Sequence, residues 1–280
     1  MKATFQHSLV TSFMLWFDHY LLDRGEAFHN ETGQFFNYTD SRVAAPYRAF
    51  GSAYKQFVTD TSISGANVCS GAYVNSIWTP QGSSFHVDYN NGRILAEGVA
   101  STASITGSFA VKDFNVYFVN EAEEDLIIER KYNPSSSFPT ENTYATPYDK
   151  TVPCVFINME SAQNQPFAFG GEDQTRSSVK AVILSDDVYK LDGILSIFSD
   201  SRNEVFDILP ASTDPINEWG DLKSPPYSYT SLAAASGNGK FYVDRVFASK
   251  LSDRAKEDLQ TNLFVGFLDF DIYTHRFPRL

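Results

Sequence analysis

Three side chains near the C-terminal end of the sequence are of types that bind metal ions. Asp269, Asp271 and His275 fall at even spacings, and alternate residues of a β-strand project from the same face. Carboxylates and imidazoles are ligands of Ca²⁺ and Zn²⁺. No second cluster of such residues accompanies them in the sequence. We therefore expect no metal site here, and no metal or other cofactor needed for folding or assembly.

A second acidic cluster places four carboxylates within five positions, at Glu121, Glu123, Glu124 and Asp125. Such a group can bind Ca²⁺ or take part in acid-base chemistry. It lies, however, between two runs with strand character, Val111 to Val119 and Leu126 to Tyr132. This position favours a solvated turn that joins two strands.

Two glycine-containing segments have the composition of phosphate-binding loops. Gly170-Gly171 is followed by Glu172-Asp173 and by no lysine, which argues against phosphate. Ser236 to Lys240 reads Ser-Gly-Asn-Gly-Lys, but the P-loop pattern needs glycine at position 234 and Ser or Thr at position 241. Ala234 and Phe241 stand there, so we expect a hairpin loop before a strand from Phe241 to Phe247.

The nucleophiles lack the flanking residues that activate them in enzymes. Neither Cys69 nor Cys154 has a local catalytic signature, and no Gly-x-Ser-x-Gly elbow occurs. The histidines are scattered without metal-ligand spacing, at His7, His19, His29, His86 and His275. We therefore predict no enzymatic activity. A β-rich glycosidase stays open as an alternative, because it needs only two carboxylates.

The composition is that of an acidic folded protein. The 280 residues carry a net charge of −12, which argues against direct contact with nucleic acid or with an anionic membrane. Two cysteines are too few for a disulfide scaffold, so a reducing compartment is expected. The 24 Phe and 15 Tyr favour either β-sheets or buried subunit interfaces, and both readings stay open.

The N-terminal segment, residues 1–66, is predicted to hold one helix and an extended arm. Apolar residues between Gln6 and Arg24 recur at the spacing of one helical face, and Gly25 suits a C-terminal cap. Asp18 and His19 interrupt the apolar run, so we expect neither a signal peptide nor a membrane span. Residues 26–66 show little periodicity, which indicates a long ordered excursion with short strands.

A β-domain is predicted over residues 67–132, centred on a hairpin. Asn90-Asn91-Gly92 tolerates positive φ and stands between two apolar runs, the strongest short-range signal for a tight turn. Residues 133–150 are low in aliphatic side chains and indicate a connecting loop.

Residues 151–280 are predicted to form a C-terminal αβ part. Strands are expected at Val152 to Met159, Ser178 to Leu184, Glu204 to Leu209 and Leu263 to Tyr273. A helix over 185–200 is expected to be capped by Ser185. The whole chain is thus predicted to be a β-rich α+β protein with a sandwich-like or barrel-like β-domain.

Four segments carry a resemblance to a known class of proteins. They read Asp-Tyr-Asn-Asn-Gly-Arg-Ile at 88–94, Pro-Phe-Ala-Phe-Gly-Gly at 166–171, Leu-Asp-Gly-Ile-Leu at 191–195 and Gly-Phe-Leu-Asp-Phe-Asp at 266–271. In this order of features the chain resembles the neck, or head-to-tail connector, proteins of contractile-tailed bacteriophages.

The resemblance implies a structural virion protein made in the host cytoplasm. Its copies would form a sixfold or twelvefold ring between the portal or adaptor and the tail, with no catalytic residues. The alternative is a carbohydrate-binding or adhesion module of a phage tail or baseplate, in which exposed Trp78, Trp219 and tyrosines stack on sugars.

Overall fold

The computed structural model describes residues 5–128, 132, 149–252 and 263–277. The helices are α1 (Phe5–Arg24), α2 (Glu123–Ile128), α3 (Val188–Ser199) and α4 (Tyr229–Ala235), with a short 3-10 turn at Ala211–Thr213. The first strands are β1 (Phe28–Tyr38), β2 (Tyr47–Gly51), β3 (Gly71–Val74), β4 (Ile77–Pro80), β5 (Phe85–Asp88), β6 (Arg93–Glu97) and β7 (Ile105–Lys112). The others are β8 (Asn115–Phe118), β9 (Cys154–Ala168), β10 (Glu172–Ser185), β11 (Val205–Asp207), β12 (Lys240–Lys250) and β13 (Phe264–Arg276). The predicted β-rich α+β class is confirmed.

The first sheet is antiparallel and has the strand order β4-β3-β7-β1-β2-β6-β5. β1 holds it together, because it pairs with β7 from Phe28 to Phe35 and with β2 from Phe36 to Tyr38. One face of the sheet buries an aromatic core that includes Phe35, Phe57 and Phe109.

The predicted hairpin joins β5 to β6 in this sheet. Asp88 pairs with Arg93, and Gly92 has a φ of 59°. A Cβ at Gly92 would lie 1.9 Å from the carbonyl oxygen of Tyr54. Both the backbone angle and the close approach therefore require glycine.

The second sheet has the order β11-β12-β13-β10-β9-β8 and is built on three long strands, β9, β10 and β13. Val179 of β10 lies between Met159 of β9 and Phe270 of β13. Register shifts interrupt β9 opposite Ser178/Val179 and β12 at Val243/Arg245. Only the short β8 runs parallel to its neighbour.

Helices α1 and α3 cover one face of the second sheet. Phe17 of α1 stacks on Phe198 of α3 with ring centroids 4.1 Å apart, and Trp16 stacks on Phe206 at 4.9 Å. Phe270 of β13 meets Phe13 edge to face. The predicted N-terminal helix is confirmed, and aromatic contacts fix its apolar side against this sheet.

The prediction of a strand from Leu126 to Tyr132 is wrong where the structure describes it. Glu123–Ile128 is helical, and Leu126 is buried against Phe156 and Val182 on the second sheet. Acidic residues in a first helical turn interact favourably with the helix dipole, so Glu123 and Asp125 suit the start of a helix. The acidic cluster is therefore not a turn between two strands.

The predicted cap of α3 is also wrong. Asp187 is the N-cap residue, and its carboxylate accepts a hydrogen bond of 2.9 Å from the Tyr189 N–H. Ser185 ends β10, and its hydroxyl bonds the backbone of Asp187. The helix begins at Val188 because the carboxylate of Asp187 satisfies one of the free N–H groups of its first turn.

The predicted segments do not coincide with the sheets. β1 and β2, from the predicted arm 26–66, belong to the first sheet, while β8 of the predicted β-domain belongs to the second. Leu222 of the C-terminal part packs into the first core. Most of the predicted connecting loop, residues 133–148, lies outside the described residues. No helix in the described part of the chain is long and apolar enough to span a bilayer.

Candidate assembly surface

The three metal-type residues of the last strand do share a face, as strand alternation predicts. Asp269 lies 4.0 Å from Lys180, and Asp271 lies 3.6 Å from Arg245. The ring of His275 packs against Phe167 with centroids 4.2 Å apart. Burial raises the pKa of Asp269. In the part of the chain described here, no group of three His, Cys, Asp or Glu residues is placed to hold a metal ion.

These residues belong to what we call the open face, the side of β9, β10, β13 and β12 that points away from α1 and α3. It carries Gln163, Arg176, Lys180, Tyr242, Phe247 and Tyr273. Lys180 bonds Glu160 at 3.0 Å, and Tyr242 stacks on Tyr273 at 5.1 Å. Phe247 is 62% exposed. Helix α2 covers one end of the face, and the rest is a mixed polar and aromatic surface.

The outer edge of β9 is free over most of its length. β8 pairs only with Cys154 to Ile157, and among the described residues no strand pairs with the outer side of 158–168. Ile157 shows to which side the backbone groups of β9 point. Its side chain faces the core under α1. Its carbonyl oxygen accepts a hydrogen bond from the Val119 N–H and therefore points away from β10.

Asn164 faces the same side as that core, since its side-chain oxygen lies 2.7 Å from the hydroxyl of the buried Thr175. In a strand the face of a side chain fixes the side to which its backbone groups point. Asn164 and Ala162 therefore direct their N–H and C=O groups outward from the sheet.

The outer edge of β12 is free at its other end. β11 pairs only with Lys240 to Tyr242, and within the described ranges no strand pairs with the outer side of 244–250. Val243 faces the core and donates its N–H to Glu204, away from β13. Val246 and Ala248 pack against the same core, so their backbone groups also point outward.

The turn between β9 and β10 forms an exposed apolar tip. Phe167 is 59% exposed and the side chain of Phe169 is fully exposed. Gly170 and Gly171 have φ values of 105° and 90°, which glycine adopts readily in a tight turn. This tip projects beyond the packed part of the sheet.

Lys240 of the glycine-containing segment and the two cysteines have structural surroundings rather than catalytic ones. Lys240 pairs with Asp207 across β11 and β12, so its ammonium group is not directed into a phosphate loop. Cys69 and Cys154 are buried free thiols. Burial raises the pKa of Cys69 to about 11 and raises that of Cys154 as well.

The two tryptophans of the adhesion alternative are partly exposed and lie in different places. Trp78 is 45% exposed and packs on Tyr73 at one edge of the first sheet. Trp219 is 39% exposed and stacks on His86 with ring planes 6° apart, beside Tyr47. Trp219 borders a cavity of about 530 Å³ that Arg42 and Glu218 also line.

Beneath Trp219 lies a buried pair that the sequence did not reveal. His86 Nδ1 lies 2.9 Å from a carboxylate oxygen of Asp221. Burial raises the pKa of Asp221, although the hydrogen bond from His86 opposes this. Because 135 positions separate the two residues, no local spacing could have indicated the pair.

The chain matches no family model, no curated protein and no solved structure. A functional proposal therefore depends on its own residues and their geometry, together with the resemblance of its motifs.

Proposed function

We propose that the protein is a structural subunit that assembles with copies of itself into a ring, in the neck of a tailed-phage virion. The observation that supports assembly is the pair of free edges on one sheet, 158–168 of β9 and 244–250 of β12. Such edges present unpaired N–H and C=O groups to any other strand. A closed ring removes them from every copy at once.

The position in the virion comes from the motif resemblance. The neighbours would be the portal or adaptor on one side and the tail on the other, and the ring sixfold or twelvefold. The acidic net charge of −12 suits contact with proteins rather than with packaged nucleic acid. The exposed tip at Phe167 and Phe169 offers such a protein contact.

The test is the mass of the purified full chain and its appearance in negative-stain images. We expect one multi-copy species with cyclic symmetry, and density for the same ring between head and tail of the particle. A chain that stays monomeric over the accessible concentration range, with no ring in the particle, contradicts the proposal.

A second candidate function, carbohydrate binding, is favoured by the partly exposed Trp219 and Tyr47 beside the polar cavity. Aromatic faces with neighbouring charged and amide groups form surfaces on which a sugar ring can stack. The test is titration of the free chain with a panel of glycans. Specific binding that Trp219→Ala removes and the matched Trp78→Ala retains supports this function. Absence of binding to the whole panel argues against it.

A further inference from the structure

We propose that neighbouring copies join by antiparallel pairing of the β9 outer edge of one copy with the β12 outer edge of the next, with Ala162 opposite Ala248 and Asn164 opposite Val246. This inference rests on the proposed function, because it names the contact through which the ring forms. The partner at each edge is thus a second copy of this chain.

The directions of the strands support this pairing. β12, β13, β10 and β9 are successive antiparallel neighbours, so the two outer strands of this group run in opposite directions. A neighbour rotated about an axis roughly along the strands keeps its orientation. Its β9 then lies antiparallel to β12, and the sheet continues from copy to copy. Contacts of this head-to-tail kind can close into rings.

In this register the paired residues direct their backbone groups toward each other, and their side chains lie on the same face of the sheet. Ala162 and Asn164 on one edge, and Val246 and Ala248 on the other, all direct their backbone groups outward. All four also face the side covered by α1. The sheet therefore continues with its covered side and its open face unbroken.

The positions of the two free edges imply a stagger between copies. Within one copy, Gln163 lies in line with Arg176, Tyr273 and Tyr242. In the proposed contact, Gln163 lies opposite Phe247 of the neighbour. Allowing for the register shift in β12, this is an offset of about four residues, or about 13 Å.

Such an offset is what a closed barrel of strands requires. Four strands span about 19 Å across the sheet, so an offset of about 13 Å tilts the strands by about 35° from the ring axis. Strands in closed barrels tilt by about 35–45°. Free edges at opposite ends of the sheet are thus compatible with a ring whose strands are tilted.

The bulk of each copy determines which face lies inside. The covered side carries α1 and α3, and the first sheet packs on the end of α1 at Leu22. Among the described residues the open face carries one short helix, α2, at one end. The larger side fits outside a closed ring. The open face therefore lines the lumen, with Gln163, Arg176 and Asp271 among the lining residues.

The first test uses proline, which removes one outward N–H from each edge. We expect Ala162→Pro and Ala248→Pro each to lose the ring, while Ala162→Ser and Ala248→Ser retain it, because serine keeps the N–H. Each proline variant keeps one intact edge. Mixing the two variants should therefore give a one-to-one dimer and nothing larger, as measured by light scattering.

The second test is a disulfide between the open-face residues that the register places opposite each other. In Gln163→Cys/Phe247→Cys, the two positions belong to a non-hydrogen-bonded pair across the contact, with Cα atoms about 4.5 Å apart, within disulfide reach. Within one chain they are separated by three strand spacings and by the offset of about 13 Å, which together make about 20 Å, too far for a bond. Oxidation should give a covalent ladder that ends at the number of copies in the ring. Gln165→Cys/Phe247→Cys is the out-of-register control and should give little ladder.

The outcomes separate this inference from the function on which it rests. Rings that survive both proline variants and give no ladder overturn the edge pairing and leave the ring proposal standing. Loss of the ring in only one proline variant indicates that an edge pairs with the same edge of another copy, which also overturns the β9–β12 pairing. A native chain that never forms rings contradicts the proposed function itself. A proline variant that fails to fold, judged by circular dichroism, leaves the disulfide ladder to decide.

Discussion

At the scale of single residues, the hairpin glycine shows how a turn is fixed by geometry as well as by conformation. Gly92→Ala should lower the free energy of unfolding by more than about 2 kcal/mol, because positive φ costs about 1–2 kcal/mol and the new Cβ also meets the Tyr54 carbonyl. Gly98→Ala is the matched control, since Gly98 has a φ of 68° with nothing within 4 Å of its Cβ position. Urea unfolding of both variants measures the difference. Equal losses would show that the contact with Tyr54 contributes nothing.

The sequence reveals such residues only when their signal is local. Asn90-Asn91-Gly92 predicted the turn because turn chemistry depends on adjacent residues. Asp269, Asp271 and His275 were correctly placed on one face for a similar reason. Their partners, Lys180, Arg245 and Phe167, come from other strands, so no spacing along the sequence could show what surrounds them.

At the scale of elements, the start of α3 depends on one carboxylate. Asp187→Ala should lower the free energy of unfolding by about 1 kcal/mol, the usual cost of losing an N-cap side chain. Asp186→Ala is the control and should change it by less than about 0.5 kcal/mol, because Asp186 is exposed. A chemical denaturation series measures both. A larger loss for Asp186→Ala would contradict the cap assignment.

The carboxylate of Asp60 connects three elements. It lies 2.8 Å from His19 Nδ1 of α1, and it accepts hydrogen bonds from Ser62 and from the Tyr229 N–H at the start of α4. Burial alone would raise its pKa, but these hydrogen bonds outweigh burial and hold the pKa below 3.8. The charged form is therefore the one that the folded state favours.

A substitution at Asp60 should therefore have a pH-dependent effect. Asp60→Ala should lower the free energy of unfolding at pH 7 by about 3 kcal/mol, since it leaves buried donors unpaired. Because the pKa is lower in the folded state, this stabilisation is present above about pH 4 and is lost as the pH falls further. Denaturation at pH 7 and pH 3 should show the difference from the native chain shrinking. The exposed Asp23→Ala should show no such loss, and a pH-independent deficit at Asp60 would contradict the assignment.

Element types were predicted where periodicity was long and failed where it was short. α1 is 20 residues long, and buried apolar side chains recur in it every four positions at Leu9, Phe13, Phe17 and Leu21, which predicts a helix. The run from Glu123 to Ile128 is only six residues long, and its apolar residues suit a strand equally well. The helix is stabilised by packing of Leu126 against Phe156 and Val182. These contacts join distant parts of the chain, so the sequence alone does not indicate them.

At the scale of the whole molecule, the sheets cross the boundaries that composition suggested. Residues 26–66 lack periodicity, yet β1 from this stretch is central to the first sheet. α1 packs on the second sheet although it precedes the first in sequence. Such long-range pairing depends on tertiary contacts between distant segments. A change in composition along the chain therefore does not predict which strands share a sheet.

The last prediction concerns the stability of the assembled molecule. If the ring forms through the β9 and β12 edges, association stabilises the folded chain by mass action, and its melting temperature depends on protein concentration. We expect the melting temperature of the native chain to fall on serial tenfold dilution. That of Ala162→Pro should stay constant and lie near the value of the most dilute native sample, while Ala162→Ser should follow the native chain. Differential scanning fluorimetry over a thousandfold range of concentration measures this. A strand pairing that forms only in the ring must stabilise the copies within it. If the native melting temperature stays constant while light scattering shows the ring dissociating, the edges contribute no stability, and the prediction is wrong.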